Sequence, residues 1–225
     1  MAKKSKKIII VDVEGMSGKR PYNVGFLVAD LKGNIYRSYS GAIMPCIWEN
    51  LQSSMKTAQE KARDMTHKNI QEILSTPTKY KWETVEDFME TFNNAIDEFN
   101  ITEIWAYNCN FDRNAISKLG NINGNVSWFD IWSAIVMTKC LTKKYVKFCK
   151  DNGFVTDKGN CKTSAETVYA YLTNNGNFEE EHTGLSDCKI EYDILMKAKK
   201  TKKKIDGTLA QPWKLVKKFC EDNGL

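Results

Sequence analysis

A short apolar run followed by two acidic residues is the feature that most constrains the fold of this chain. Residues 8–11 are four consecutive β-branched residues, which predict a buried strand. Asp12 and Glu14 follow with one residue between them, and side chains two apart in a strand share a face. Two carboxylates held together beside a core are costly unless a cation lies between them, so the pattern indicates a divalent metal. Taken alone, the motif leaves open an exposed strand end with two solvated charges.

The composition is that of one ordinary globular domain. The 225 residues are 42% hydrophobic and 27% charged, and 33 Lys and Arg against 28 Asp and Glu give a formal net charge of +5, a modest excess that favours a polyanionic partner. The seven cysteines are odd in number and include no Cys-x-x-Cys pair, which predicts reduced thiols.

The start of the chain superficially resembles a signal peptide. Four lysines precede the apolar run, but Asp12 cuts it short and no small-residue cleavage site follows. We therefore expect a cytoplasmic protein without a signal peptide or membrane span.

Alternating strand and helix patterns predict an α/β domain. Segments 22–29 and 34–44 are strand-like and form a meander with the first strand. Further along, the patterns predict helices at 51–74, from the capping box of Thr84 and Asp87 to Ile96, and at 108–119, and strands at 101–107 and 126–131. Because helix alternates with strand in this half, we expect parallel strands beside the meander and a mixed sheet of five strands.

The second half of the chain is predicted to be helical. A helix is expected at 135–151, another after a capping box of Thr163 and Glu166, and a last core helix at 185–200. The domain is therefore placed at residues 1–200 and is followed by a short basic tail, 201–225, with a helix-like end. Six lysines lie between positions 197 and 204.

One sequence repeat stands apart from these patterns. Residues 147–154 and 218–225 both contain Lys-Phe-Cys-x-Asp-Asn-Gly, where x is one variable residue. Two helix ends with similar caps explain the repeat as well as duplication does, and it predicts no function.

Three further residues join the first two acidic ones. Asp112 follows the strand at 101–107, in the first turn of the next helix, where open α/β sheets build their sites. His182 and Asp187 lie in a loop and in the first turn of the last core helix. Taken singly, each carboxylate is equally explained as a helix-start anion, and His182 as a surface histidine. The second histidine, His67, has no acidic partner pattern and is given no role.

The three motifs together resemble those of the DEDD 3′-to-5′ exonucleases, a family that includes the proofreading epsilon subunit of bacterial DNA polymerase III, RNase T and phage-encoded relatives. The chain has Asp-x-Glu on the first strand, Asp112 in an Asn-x-x-Phe-Asp context, and His182 five positions before Asp187. Another variant of the family places a tyrosine at the position of Thr183, so this chain resembles the histidine variant, DEDDh.

The resemblance implies an RNase H-like fold with three layers, α/β/α, and removal of nucleoside 5′-monophosphates from the 3′ end of single-stranded nucleic acid, with DNA favoured over RNA. It implies that Asp12, Glu14, Asp112 and Asp187 bind two Mg²⁺ or Mn²⁺ ions and that His182 is the general base. Oxygen ligands and two ions suit an in-line displacement at phosphorus. Histidine exchanges protons near neutral pH, as a base in this reaction must.

The resemblance also indicates where substrate and partners bind. Many relatives have Thr or Ser where this chain has Gly15, and we expect Gly15, Met16, Phe26 and Asn108 to contact the terminal nucleotide. Lysines at 3–7, 143–144 and 197–204 are candidates for a strand-binding track, although a solvated charge run explains the last cluster as well. A DNA polymerase or replication protein of a bacterium or phage-infected cell is the expected partner. The alternatives are a non-catalytic nucleic-acid-binding module and a phosphodiesterase acting on dinucleotides or short oligonucleotides.

Overall fold

The computed structural model describes residues 5–16, 18–57, 60–201 and 211–225, with the backbone alone for 54–57 and 60–63. The strands of this described part are β1 Lys7–Glu14, β2 Asn23–Asp30, β3 Ile35–Ile43, β4 Lys81–Glu83, β5 Glu103–Ala106 and β6 Ser127–Asp130. They form one sheet in the order β4-β3-β2-β1-β5-β6. The buried strand predicted at 8–11 is confirmed as part of β1, which lies inside the sheet.

The sheet is mixed, as predicted, but the expected strand count is wrong. β1, β2 and β3 pair antiparallel as a meander, and β5 and β6 add parallel strands beside β1. β4 pairs in parallel with the outer edge of β3, which makes six strands in the described chain rather than five. With only three residues, β4 is too short for an alternating pattern to mark it in the sequence.

Helices cover both faces of the sheet. Because side chains alternate along β1, Ile9, Val11 and Val13 enter one core and Ile8 and Ile10 enter the other. The first core is covered by α1 Met44–Thr57, α2 Glu60–Ser75, α3 Val85–Phe99 and α4 Cys109–Ser117. The second is covered by α5 Ile131–Ile135, a π-helix Val136–Cys140, α6 Lys143–Asp151, α7 Ala165–Thr173, α8 Gly184–Lys199 and α9 Trp213–Asp222. The predicted α/β class is confirmed.

Local side-chain caps explain where the helices differ from the sequence predictions. The capping box of Thr84 and Asp87 is confirmed at the start of α3. The single helix expected at 135–151 is interrupted, because Thr142 caps α6 by accepting the Tyr145 N–H at 3.1 Å. The capping box predicted at Thr163 is wrong by one residue, since Ser164 is the N-cap of α7.

The helix-like end predicted for the tail packs on the domain. Val216 of α9 is 1% exposed within the second core, so α9 shares that core with α6 and α8. Residues 202–204 of the lysine cluster lie outside the described residues. Among the described helices, none combines the length and apolar character that crossing a membrane requires.

Candidate metal centre

The carboxyl end of β1 supplies the first two acidic side chains. Asp12 and Glu14 lie on the face of β1 that packs against α8, and both are partly buried. β2 pairs with β1 along this stretch, with Gly25 opposite Asp12 and Asn23 opposite Glu14. The two carboxylates are therefore held at the edge of the second core.

Asp112 reaches the same place from α4. It is 2% exposed, and its Oδ1 accepts the N–H of Val13 at 3.2 Å, which holds it against the end of β1. Asp130, the last residue of β6, fixes the start of α4 because its Oδ1 accepts the N–H groups of Asn108 at 2.8 Å and Cys109 at 3.3 Å. The parallel strands β1, β5 and β6 thus end along one edge, as open α/β sites require.

Asp187 comes from the first turn of α8 and is 7% exposed. The helix start is fastened to β2, because the Gly184 N–H donates to Oδ1 of Asn23 at 2.8 Å, and Nδ2 of Asn23 donates to the Gly41 carbonyl at 2.6 Å. Ser186 Oγ donates to Asp187 Oδ1 at 3.2 Å. Asn23 therefore links the last carboxylate to the strand beside the first two.

His182 precedes α8 with left-handed backbone geometry, at φ 53°. One ligand atom from each of Glu14, His182 and Asp187 lies within 4.8 Å of the others. The carbonyl of His182 accepts the Asn69 Nδ2 donor at 3.4 Å, which ties the loop to α2. The structure thus brings Glu14, His182 and Asp187 within ligand distance of one another, and Asp12 lies close enough to Asp112, Glu14 and Asp187 for their charges to interact.

The electrostatics of this cluster favour a bound cation. Burial raises the pKa of Asp12 well above its usual range, and the charges of Glu191, Asp112, Glu14 and Asp187 raise it further. Burial is likewise the main cause that raises the pKa of Asp112 to about 8 and of Asp187 to about 7. Oδ2 of Asp12 is shielded from solvent and has no hydrogen-bond partner among the described residues. The donor set is rich in carboxylate oxygen and contains no thiolate, so it fits Mg²⁺ or Mn²⁺.

Glu191 is a member of this cluster that the sequence motifs missed. It lies one helical turn after Asp187 on α8, is 3% exposed, and accepts the Tyr107 N–H at 3.2 Å. Burial raises its pKa well above the usual range, and the charges of Asp112 and Asp187 act in the same direction. The signal in the sequence was the four-residue spacing from Asp187, which places both carboxylates on one face of a helix.

The residues predicted to contact substrate fall into two groups. Gly15 and Met16 are partly buried after β1, and Asn108 is exposed at the start of α4, so these three remain available near the carboxylates. Phe26 is fully buried in the first core, where its ring stacks on Tyr39 with 4.7 Å between centroids. The prediction that Phe26 contacts the terminal nucleotide is wrong, because its position in β2 turns the ring into the core.

An acidic cleft of about 560 Å³ opens beside His182. Its lining includes Met65, Lys68 and Asn69 of α2 and six carboxylate residues, Asp64, Glu72, Glu166, Glu179, Glu180 and Glu181. Burial raises the pKa of Glu180 to about 8, and the charges of Asp187 and Glu166 add to the rise. The cleft therefore disfavours a long polyanion on this side of the carboxylates.

Several predicted strand-binding lysines lie away from the carboxylates. Lys7 begins β1, about 23 Å of extended chain from Glu14, and its Nζ lies 4.5 Å from the ring centroid of Phe99. Lys199 ends α8 over the ring of Trp105, while Lys3 and Lys4 lie outside the described residues. Basic residues nearer the site were missed: Lys118 Nζ donates to the Lys19 carbonyl at 3.4 Å, joining the loop after β1 to the end of α4.

In comparisons with known proteins, the chain matches no protein-family profile, no curated protein sequence and no solved structure. The case for a function therefore comes from the side chains of the site.

Proposed function

We propose that this protein is a metal-dependent 3′-to-5′ exonuclease of the DEDDh type, with an RNase H-like fold, acting on single-stranded nucleic acid. The observation that carries the proposal is the grouping of Glu14, His182 and Asp187 within 4.8 Å of one another, with Asp12 and Asp112 held beside them at the end of β1. Chance acidic residues at strand and helix ends do not gather in a partly buried cluster, because mutual repulsion and desolvation oppose it.

The four carboxylates would hold the divalent ions, and Oδ2 of Asp12 is the donor that most needs one. When bound, a pair of such ions stabilises the attacking and leaving oxygens of a phosphodiester displacement. The protein's contribution is to fix the ligands: the Val13 N–H orients Asp112, and the Ser186 hydroxyl orients Asp187. These hydrogen bonds restrain the orientation of both carboxylates.

His182 is the proposed general base. It lies within 4.8 Å of Glu14 and Asp187, on the open side of the cluster that faces the cleft. From there its imidazole accepts a proton from the attacking water while the carboxylates remain ligands. Gly15, Met16 and Asn108 are proposed to contact the terminal nucleotide.

The test uses 5′-labelled single-stranded DNA and RNA of one sequence, with Mg²⁺, Mn²⁺ or EDTA. We expect a metal-dependent ladder that shortens from the 3′ end and is lost in Asp187→Asn. The matched control is Asp193→Asn, an exposed position on the same helix, which should keep wild-type activity. A ladder that persists in Asp187→Asn would overturn the proposal, and binding without cleavage by the wild type would indicate the non-catalytic module.

The acidic cleft favours a second candidate, a phosphodiesterase that acts on dinucleotides or short oligonucleotides. The lining has six carboxylate residues and one lysine, Lys68, so it repels a substrate with many phosphates. A cavity of about 560 Å³ has the size of a small-ligand site. Substrates of two to twenty nucleotides separate the two candidates. A rate per cleavage that falls steeply with length supports the short-substrate enzyme, and one that is constant or rises supports the exonuclease.

A further inference from the structure

A largely apolar cavity opens on the surface beside the start of α9. Its volume is about 560 Å³, within the range of small-ligand sites, and Trp132 and Trp213 both line it. Trp213 is the first residue of α9 and is 38% exposed, while Trp132 is partly buried in the first turn of α5. We name this space the tryptophan cavity. The function proposed above gives it no role.

Both tryptophans are held in place by the fold. The indole Nε1 of Trp132 donates to Oγ1 of Thr163 at 2.9 Å, which fixes the orientation of the ring. Trp213 is carried by α9, and Val216 of this helix is buried in the second core with 1% exposure. Walls that are ordered before a ligand arrives lose little conformational freedom when it binds. The tryptophan cavity is therefore preorganised to take up a flat ligand.

The tryptophan cavity is joined to the metal centre through Tyr107. The rings of Tyr107 and Trp132 stack, with 6.1 Å between centroids and 21° between planes. The N–H of Tyr107 donates to Glu191 of the acidic cluster at 3.2 Å, and its hydroxyl donates to the Thr163 carbonyl at 2.6 Å. Glu191 lies one helical turn after Asp187 on α8. A strand that leaves the carboxylates past Tyr107 therefore reaches this cavity next.

The charge around the tryptophan cavity suits a polyanion. The described lining includes two exposed lysines, Lys158 and Lys162, against one carboxylate, Asp157. The chain segment 139–162 contains seven lysines and two aspartates, with no arginine and no glutamate. The acidic cleft has the opposite balance, with six carboxylate residues and one lysine. Of the two openings, the tryptophan cavity is thus the one that attracts phosphates.

We propose that the tryptophan cavity binds unpaired bases of a single nucleic-acid strand, upstream of the 3′ end that lies at the carboxylates. The bases stack on Trp132 and Trp213, and Lys158 and Lys162 pair with phosphates of the strand. Aromatic side chains beside lysines hold single strands of any sequence, because every base has a π-face. The position of the 3′ end rests on the proposed function, whereas the binding of bases in the cavity does not require cleavage.

The experiment measures fluorescence anisotropy of two labelled ligands with the full-length protein in EDTA, where metal-dependent cleavage does not compete. The ligands are an oligothymidylate of twelve nucleotides and an abasic oligomer of the same length and charge. We expect the wild type to bind the oligothymidylate at least tenfold more tightly, which is the scale of one stacked base. Trp213→Ala should remove most of this difference and leave the affinity for the abasic oligomer unchanged, and Trp213→Phe should retain it.

Leu215→Ala is the matched control, because Leu215 is an exposed apolar residue of α9 that is not among the described residues lining the cavity. Its affinity for both ligands should equal that of the wild type. Lys158→Ala combined with Lys162→Ala should weaken both ligands and reduce the salt dependence of binding, because phosphate contacts are lost. Equal affinity of the wild type for the two ligands would leave the cavity to an apolar peptide or small molecule and overturn the proposal. A folded Trp213→Ala protein that binds oligothymidylate as the wild type does overturns it as well.

Photochemical cross-linking of the wild type keeps the proposal testable if Trp213→Ala does not fold. Iododeoxyuridine is placed at one position at a time along the strand, and the cross-linked peptides are mapped. We expect cross-links to Trp132 or Trp213 from internal positions and none from the 3′-terminal position. Cross-links that omit both tryptophans, or that join them to the 3′-terminal base, overturn the proposal.

The failure of this proposal is distinguishable from the failure of the proposed nuclease. A wild type that cross-links through the tryptophan cavity but cleaves no strand contradicts the nuclease and supports base binding in the cavity. A wild type that cleaves from the 3′ end but gives no cross-link to Trp132 or Trp213 contradicts the cavity alone.

Discussion

Gly25 of β2 and Gly184 of α8 are in direct backbone contact. A Cβ on Gly25 would lie 2.0 Å from the carbonyl carbon of Gly184, and a Cβ on Gly184 would lie 2.3 Å from the Gly25 nitrogen. Neither position has room for any side chain. This contact sets how closely Asp187 approaches Asp12, which lies opposite Gly25 in the sheet.

Gly184→Ala should therefore separate α8 from β2. We expect the free energy of unfolding to fall by about 3 kcal/mol, at the upper end of overpacking costs, because backbone atoms cannot yield as side chains do. Affinity for Mn²⁺ should fall at least tenfold. Urea denaturation and calorimetric titration measure the two effects.

The matched control is Gly120→Ala, where the new Cβ meets only the flexible side chain of Met89 at 3.2 Å. Its cost should stay below about 1 kcal/mol, the range of tolerated core substitutions. If Gly184→Ala instead keeps the stability and metal affinity of the wild type, the contact between Gly25 and Gly184 does not position α8.

Metal-free protein should become less stable as the pH rises from about 4 to about 8. Carboxylates in an unfolded chain lose their protons near pH 4. Folded Asp112 and Asp187 keep theirs up to pKa values of about 8 and about 7, because burial disfavours their charged forms. Over this window the folded state binds more protons, so the free energy of unfolding falls by up to about 1.4 kcal/mol per pH unit for each group. Below pH 4 this contribution is fully present and constant.

Thermal melts in EDTA between about pH 4 and about 8, the window between the unfolded and folded pKa values, measure this dependence. Saturating Mn²⁺ should remove most of it, since the ions neutralise the cluster, and Asp187→Asn should flatten it in EDTA. A metal-free melting temperature that does not fall across the window contradicts the assigned protonation.

Glu191→Gln should stabilise the metal-free protein and weaken metal binding. The amide oxygen can still accept the Tyr107 N–H, while the cost of either burying a charged carboxylate or keeping it protonated beside Asp12 is removed. We expect a gain of about 1 kcal/mol at pH 7.5, the scale of one pKa unit of relieved repulsion, and an approximately tenfold loss in Mn²⁺ affinity. Glu179→Gln, on the exposed wall of the cleft, is the control and should change neither. Unchanged metal affinity in Glu191→Gln would leave Glu191 with a structural role alone.

His182→Asn should separate catalysis from metal binding. Asparagine tolerates the left-handed backbone at this position, so the loop keeps its shape while the proton acceptor is lost. We expect the catalytic rate to fall by about 10²- to 10⁴-fold, the usual contribution of a general base, with metal affinity within about threefold of wild type. A collapse of metal affinity would instead identify His182 as a ligand.

The sequence predicted the parts of the site that lie on strong periodic patterns. The run at 8–11 located β1, and alternation along it placed Asp12 and Glu14 on one face. Asp112 and Asp187 were predicted in the first turns of two helices, and they lie there in α4 and α8. Their positions on strand and helix could be predicted because strand and helix periods are local properties of the chain, whereas their grouping in one site was an expectation from the resemblance.

Features that depend on packing between distant segments were out of reach. β4 forms by pairing with the outer edge of β3. The break in the helix predicted at 135–151 depends on one hydroxyl cap, that of Thr142. Phe26 is an aromatic residue of the kind that stacks on nucleic-acid bases. Only the fold shows that its ring lies against Tyr39 in the core. The four-residue spacing places Glu191 on the same face of α8 as Asp187, but its approach to Tyr107 and Asp112 depends on packing that the helix pattern does not give.

The hydrogen bond between Gly184 and Asn23 has a consequence for the order in which parts of the protein fold during synthesis. A ribosome-bound chain that has not yet released α8 carries Asp12, Glu14 and Asp112, but neither His182 nor Asp187 and no helix to bring them in. Closing this long-range contact is slow relative to forming the meander, whose strands are neighbours in sequence. The complete cluster of carboxylates and His182 therefore forms only after nearly the whole domain has left the ribosome.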